Sequence, residues 1–384
     1  MASDVMPRAR PVLVYLVTED WYFLSHRLPM ACAALRAGYE VHVAANVADG
    51  GEAIESYGFK LHPLNWRRGS AHPRDLIRIV GEIRALYRRL KPDVVHHVGV
   101  QPAIIGALAS VGLPMVKLHA MAGLGFAFTS GSARARATGF AVRTLMRGLF
   151  NWPRNAVLVQ NPDDRAAVTA FGISPERIFL IPGSGVDTDA LTPIPEPAGV
   201  MTVGYVGRLL ANKGIRSLIE AHKILRSRGR AIRLVVAGEP DSANPSSIPQ
   251  REVESWAAIE GLDMLGHIDD IRDVWRIAHI AVLPSRGGEG LPKSLLETAA
   301  CGRPIVATDV PGCREIARQD VNALLVPVDD AAALADAIAR LADDADLRRR
   351  FGVAGRAIVE AEYSERRIGA EIVALYAKLL SQGG

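Results

Sequence analysis

This sequence predicts an α/β chain of two Rossmann-like, doubly wound domains facing across a cleft, and three observations carry the prediction. Short β-branched runs alternate with longer helical patterns from one end to the other, which is the signature of parallel sheets covered by helices. The alternation restarts after "TPIPEPAG", residues 192–199, whose three prolines suit neither a helix interior nor a central strand. The chain's 384 residues also exceed one typical core, so two domains of roughly 150 to 200 residues each are expected.

In the first half the run "PVLVYLV" is followed by the helical pattern "SHRLPMACAALRAG". Then come "EVHVAA", "DLIRIVGEIRALYRRL", "DVVHHV", "PAIIGALAS" and "PMVKLHA". After the prolines the order is "MTVGYVG", "KGIRSLIEAHKILRSRG", "RLVVAG", "HIAVLP", "SLLETAACG" and "PIVATD". The tail "YSERRIGAEIVALYAKLLSQGG" reads as a closing amphipathic helix, with Ile368, Ile372, Leu375 and Leu379 along one stripe. The expected organisation is a first domain over 1–195, a second over 196–363, and a helix over 364–384 that packs back towards the first.

Composition narrows the class. Hydrophobic residues are 49% and charged residues 22%, and no apolar run approaches the roughly 18 residues of a membrane span. The opening "MASDVMPRARPVLVYLV" lacks the layout of a signal peptide, which predicts a chain retained in the cytoplasm. Cys32, Cys301 and Cys313 are too few and too dispersed for a disulfide framework or a zinc site.

Net charge is +4, and it is unevenly placed. Residues 1–195 hold 21 Lys and Arg against 15 Asp and Glu, the remainder 24 against 26. Arg67, Arg68, Arg74, Arg78, Arg84, Arg88, Arg89 and Lys91 crowd one stretch, and Arg134, Arg136, Arg143 and Arg147 another. Such patches attract lipid head groups, nucleic acid or phosphorylated substrates; a solvated helix face would carry the same residues.

Neither half has the G-x-G-x-x-G of a dinucleotide site. The second instead offers "YVGRLLANKG", a strand end followed by Arg208 and Lys213. A guanidinium fork and an ammonium point charge there suit a diphosphate, although two solvated loop cations would look alike. Further on, "GGEGLPKSLLE" separates Glu289 from Glu297 by seven residues. Pro292 suits a first helical turn, so the helix is expected from about Leu291 to Cys301. Glu297 then lies away from the packed Leu295/Ala299 stripe, looking into the cleft. The backbone N–H groups of Gly290 and Leu291 would be presented to an anion at the helix start. Polar residues ending the first-half strands, Glu19, Asp20, His96, His97 and His119, are expected at the cleft by the strand-end rule.

With these residues in place, the run "VLPSRGGEGLPKSLLETAACGRPIVATDVPGCREI" closely resembles the signature of the retaining glycosyltransferases of family four, whose two-Rossmann architecture is the B-type (GT-B) fold. "VGYVGRLLANKG", "LVVAGEP", "LGHIDDIRDVWRIAHIAVLPS" and "VNALLVPVDD" agree in order and spacing. In the first half "DWYFLSHRLPMACAALRAGYEVHVAA", "KPDVVHH", "GLGFAF", "VQNPDDRAAV" and "LIPGSGVDTDAL" are similar to a branch that builds bacterial surface polysaccharides. The resemblance implies that Arg208 and Lys213 grip the donor diphosphate, that Glu297 takes the ribose hydroxyls, and that Glu289 contacts the transferred sugar. It also implies His119 as a catalytic hydrogen-bond donor and His97 as a weaker candidate at the acceptor. Many relatives carry a glycine pair in the first strand–helix loop; here Ser25, His26 and Arg27 stand in that region for an anion contact.

The implied partners are a nucleotide sugar and a glycan or lipid-linked glycan, with an anionic membrane surface and without nucleic acid. No cofactor and no metal are expected, because Asp187 and Asp189 in "VDTDAL" fall on a structural turn. Three alternatives stay open on the same scaffold: a sugar-nucleotide epimerase, a phosphorylase, and a non-catalytic nucleotide-sugar-binding protein.

Overall fold

The computed structural model describes residues 10–66, 72–121, 123 and 133–382. They divide into two α/β units. The first comprises residues up to 121, 133–184 and 366–382; the second comprises Gly123 and residues 185–365.

The first unit's strands are β1 (Val12–Glu19), β2 (Glu40–Asn46), β3 (Lys60–Pro63), β4 (Val94–Val98), β5 (Val116–Ala120), β6 (Asn155–Val159) and β7 (Ile178–Leu180). They lie in the order β3-β2-β1-β4-β5-β6-β7, every pair parallel. The second unit's are β8 (Thr202–Val206), β9 (Arg233–Ala237), β10 (Leu262–Gly266), β11 (Ile280–Leu283), β12 (Ile305–Thr308) and β13 (Ala323–Val326), in the parallel order β10-β9-β8-β11-β12-β13. Leu13, Val14, Tyr15, Leu16 and Val17 are all fully buried, as a strand covered on both faces requires. Each order reverses beside its first strand, between β1 and β4 and between β8 and β11. Loops leaving the strands on either side of a reversal diverge, and the crevice they leave is where open α/β sheets take ligands.

The closing helix, Glu365–Ser381, buries Ile368, Ile372, Leu375, Tyr376 and Leu379 in the core of the first unit, with Tyr15, Phe23 and Met30. Gly369 lets it approach the helix Leu28–Arg36: a Cβ there would stand 2.7 Å from that of Ala33.

The boundary differs from the sequence expectation. The chain leaves the first unit at Ser184 and enters the second at Gly185, ahead of the proline-rich stretch. Arg356 donates to the carbonyls of Thr188 (2.8 Å) and Leu191. Arg303 donates to those of Ile194 (2.7 Å) and Pro195 (2.8 Å), and Arg348 pairs with Glu196 at 2.5 Å. Prolines remove backbone donors but leave every carbonyl; guanidiniums, with five donors each, collect those carbonyls and fasten the segment to the second unit.

Of the basic residues, Arg67 and Arg68 lie outside the described residues, as do the side chains of Arg134 and Arg136 and, apart from Gly123, the stretch "GLGFAF". The helix Pro73–Leu90 exposes Arg74, Arg78, Arg88 and Arg89 beside Ile77, which is 75% exposed. Arg84 turns away and caps the carbonyls of Ala109 and Val111. No helix among the described residues is long and apolar enough to cross a membrane.

Candidate active site

At the reversal of the second sheet, loops from β8 and β11 meet. Lys213, from the β8 loop, places Nζ 2.7 Å from both carboxylate oxygens of Glu289, from the β11 loop. Ser285 Oγ donates to Glu289 Oε1 at 2.8 Å. Glu289 is 8% exposed, so its charge is compensated on both oxygens in a largely dry setting, as a buried carboxylate requires. Arg208 Nη1 donates to Asp241 Oδ2 at 2.6 Å, and the Tyr205 hydroxyl donates to the Arg208 carbonyl at 3.0 Å.

Backbone contacts fix this arrangement. Gly214 has φ +73°, and a Cβ on it would stand 1.7 Å from the Pro284 carbonyl oxygen. Gly238 (φ +140°) abuts the Gly207 carbonyl, and Gly312 (φ +82°) abuts the carbonyls of Glu289 and Gly290. Only glycine accepts those conformations at those separations. The Arg286 amide donates to the Asn212 carbonyl at 2.8 Å, which ties the two loops again.

Glu297 stands on the helix Lys293–Ala300. Lys293, one turn earlier, is 3.6 Å away. Burial raises the Glu297 pKa, and Lys293 opposes that rise. The helix begins later than the sequence suggested: Pro292 is its N-cap, extended at ψ 115°, so Leu291 precedes the helix. The Leu291 side chain packs in the core with Leu295 and Leu296, and what Gly290 and Leu291 can offer a ligand is backbone.

The first-unit candidates separate. Ser25 and His26 close the helix Asp20–His26 rather than opening one, with Ser25 Oγ 2.6 Å from His26 Nδ1 and the His26 ring stacked on Tyr22 at 4.4 Å. Arg27 lies between that helix and the next and is 1% exposed. Asp20 is structural, since its carboxylate accepts the amides of Ala48 and Gly50 at 2.8 Å each. Asp187 likewise accepts the amides of Asp189 and Ala190, the expected turn.

His97 and His119 are not at a crevice, which corrects the strand-end expectation for both; they and His96 are fully buried. They lie within β4 and β5, and alternation along a strand sends them into the covering layers. Asn155 Nδ2 donates to the carbonyls of Trp152 and Pro153, which leaves Oδ1 to accept from His119 Nε2 at 2.9 Å. His119 Nδ1 therefore accepts from His97 Nδ1 at 3.1 Å, and His97 Nε2 accepts from the Tyr87 hydroxyl at 2.9 Å. Both nitrogens of both rings are occupied, and His119 is stacked on Phe150 at 4.0 Å. Neither ring has a donor left for a leaving phosphate or an acceptor sugar.

Burial pushes the His119 pKa down to about 4 and holds His97 well below its ordinary 6.5, His119 adding to the effect on His97. The native state therefore favours neutral rings while the unfolded chain protonates near 6.5. Their stabilisation is complete above that pH and is lost as pH falls from about 6.5 towards about 4. The urea midpoint is expected to drop between pH 7 and 5, and to drop less in His97→Gln/His119→Asn; parallel pH curves for the two proteins would refute this.

Sequence reasoning missed Ser285 and Asp241. Ser285 carried a usable signal, four residues before Glu289 in the same glycine-interrupted loop; Asp241 carried none.

Family comparison matches residues 13–161 to the "Glycosyl transferase 4-like" model and residues 201–344 to "Glycosyl transferases group 1". EpsD of Bacillus subtilis (strain 168) is 27% identical over 387 residues, covering 95% of this chain and 96% of that one. The N,N'-diacetylbacillosaminyl-diphospho-undecaprenol alpha-1,3-N-acetylgalactosaminyltransferase of Campylobacter jejuni is 24% identical over 93% of this chain and 98% of that one. Among solved structures, sucrose-phosphate synthase from Thermosynechococcus elongatus superposes with a TM-score of 0.81 at 21% identity, over 97% of this chain and 100% of that one. At that identity the likeness is one of fold, the GT-B type.

Proposed function

Since this chain belongs to the glycosyltransferases, with a glycosyl transferase 4-like first half and a group 1 second half, we propose that it moves a hexose or N-acetylhexosamine from a nucleotide sugar to a glycan carried on polyprenyl diphosphate. The reaction retains anomeric configuration and serves a bacterial surface polysaccharide of the O-antigen or lipopolysaccharide kind. The observation that carries this reading is the meeting of Lys213, Ser285 and Glu289 at the switch point of the second sheet, with Arg208 on the same β8 loop as Lys213. Lys213 and Arg208 neutralise the departing diphosphate, Glu289 addresses the transferred sugar, and Glu297 takes the ribose hydroxyls. The bond from C1 to the phosphate oxygen breaks while one to the acceptor oxygen forms on the same face, and the leaving phosphate receives the acceptor's proton. No protein nucleophile is needed, and the protein's part is electrostatic.

The Campylobacter relative, which by its name acts on an undecaprenol diphosphate-linked sugar and matches nearly the whole chain, supports the lipid-linked acceptor. Ser25 and His26 are the first-unit side chains assigned to it. The exposed face with Arg74, Arg78, Arg88, Arg89 and Ile77 supports docking to the inner, anionic face of the cell membrane. The cations already present at the donor site support transfer without a metal.

One assay tests these points together: labelled nucleotide sugars and polyprenyl-diphosphate glycan on low-salt anionic vesicles, with and without chelator. Label is expected in the acceptor with its anomeric configuration kept, unaffected by chelator, and the protein is expected to float with the vesicles. Turnover without acceptor would make the chain an epimerase, and a requirement for free phosphate would make it a phosphorylase. Nucleotide binding without turnover would make it a binding protein.

A further inference from the structure

Among the described residues, the first unit encloses a guanidinium without a counter-ion. Arg27 is 1% exposed, yet among the described residues its one polar contact is Nη1 donating to the His26 carbonyl at 3.0 Å, and Nε has no partner. The other buried arginines are treated differently: Arg303 donates to four carbonyls, and Arg348 to Glu196 and two carbonyls. A buried cation left so poorly compensated is unfavourable, because desolvation is not repaid by a partner.

A second orphan lies within its electrostatic reach. His96, on β4, is fully buried; Nδ1 is 2.6 Å from the Tyr376 hydroxyl, and Nε2 has no partner. Tyr376 in turn meets the Tyr15 hydroxyl at 2.9 Å, and the Tyr15 ring stacks on His96 at 4.9 Å. Arg27 follows Phe23 by one helical turn, with its amide on the Phe23 carbonyl, and the Phe23 ring is 5.6 Å from that of Tyr15. The Arg27 charge is among the causes that depress the His96 pKa, after burial. Both orphan groups thus belong to β1, β4 and the helix turn above them, where the order of the first sheet reverses and a ligand crevice is expected.

We propose that Arg27 and His96 form an anion pocket of the first unit, and that it takes a phosphate group of the acceptor. The identity of the anion's source rests on the transferase reading above; the pocket itself does not. Arg27 supplies a fork of donors to phosphate oxygens. With the Tyr376 hydroxyl donating to Nδ1, the neutral His96 ring carries its proton on Nε2 and presents that N–H to the anion, directly or through a water.

The test uses the full chain, inorganic pyrophosphate as the probe, and the variants Arg27→Met, His96→Gln and Arg208→Ala/Lys213→Ala. With the donor-site cations Arg208 and Lys213 both replaced by alanine, pyrophosphate is still expected to raise the melting temperature, and to leave it unmoved once Arg27→Met is added, with His96→Gln intermediate. Arg27→Met without ligand should melt at or above the wild-type temperature, because an uncompensated charge has been exchanged for an apolar chain of similar length. In transfer assays its KM for lipid-linked acceptor should rise about 10- to 100-fold, the loss of a charged hydrogen bond, with KM for donor unchanged. An Arg27→Met protein that fails to fold, melts lower, or keeps the pyrophosphate shift in the Arg208→Ala/Lys213→Ala background overturns the pocket, leaving Arg27 a structural residue solvated by buried water. An Arg27-dependent shift with unchanged acceptor KM keeps the pocket and overturns its assignment to the acceptor.

Discussion

Replacing Lys213 by alanine is expected to lower kcat/KM by about 10²- to 10³-fold, the effect of removing one preorganised donor from a site where negative charge develops. Lys213 is the point where both sheet-end loops converge: two of its three donors go to Glu289, and in the proposed reaction the third meets a leaving phosphate oxygen. Alanine removes that donor and leaves the Glu289 carboxylate with Ser285 as its remaining side-chain partner among the described residues. Lys213 is partly exposed, 20% of its side chain, so the cost to stability should be modest, roughly 1–2 kcal/mol. Most of the loss should appear in kcat at saturating donor. Lys213→Met/Glu289→Gln separates structure from chemistry, since it removes the ion pair as a unit and should regain stability without regaining turnover. A double variant within threefold of wild-type kcat would remove both residues from the chemistry.

The second large effect is expected from Gly214→Ala. Its φ of +73° costs an L-residue roughly 1–2 kcal/mol, and the new Cβ would stand 1.7 Å from the Pro284 carbonyl oxygen. Neither atom sits on a flexible side chain, so backbone must move, and the total should reach at least about 3 kcal/mol. Pro284 precedes Ser285, and Gly214 follows Lys213; the shift therefore also pulls apart the groups that hold Glu289. Gly229→Ala is the matched control, with φ +75° and nothing within 4 Å of the added carbon. It should lose only the conformational part. Equal urea midpoints for the two variants would mean that the loops do not depend on this contact.

These two residues also show what was legible in the sequence. Periodicity and punctuation revealed the alternating elements, because parallel strands covered on both faces are continuous apolar runs whatever their partners. Charges following strands β8 and β11 revealed Arg208, Lys213 and Glu289, since a strand's carboxyl end is a place readable from sequence. His97 and His119 were misjudged because one residue of register decides whether a side chain lies beyond a strand or inside it. Pro292 and the 192–199 stretch were misjudged for a related reason: proline marks where a donor is missing, not what collects the carbonyls. The Tyr15–Tyr376 contact joins residues 361 positions apart, and no local pattern announces it.

That contact belongs to the closing helix, and it orders events during synthesis. A ribosome releases residues 185–365 as a complete second unit while the first, begun earlier, still lacks Ile368, Ile372, Leu375, Tyr376 and Leu379 from its core. The usual sequence of amino-terminal domain first is therefore inverted here: the first unit waits for the last turns of the chain. Until they arrive, the Tyr15 and Phe23 side of its sheet is covered only in part, by the helices Asp20–His26 and Leu28–Arg36. A nascent chain released as far as residue 365 would hold a finished second unit and an unfinished first one.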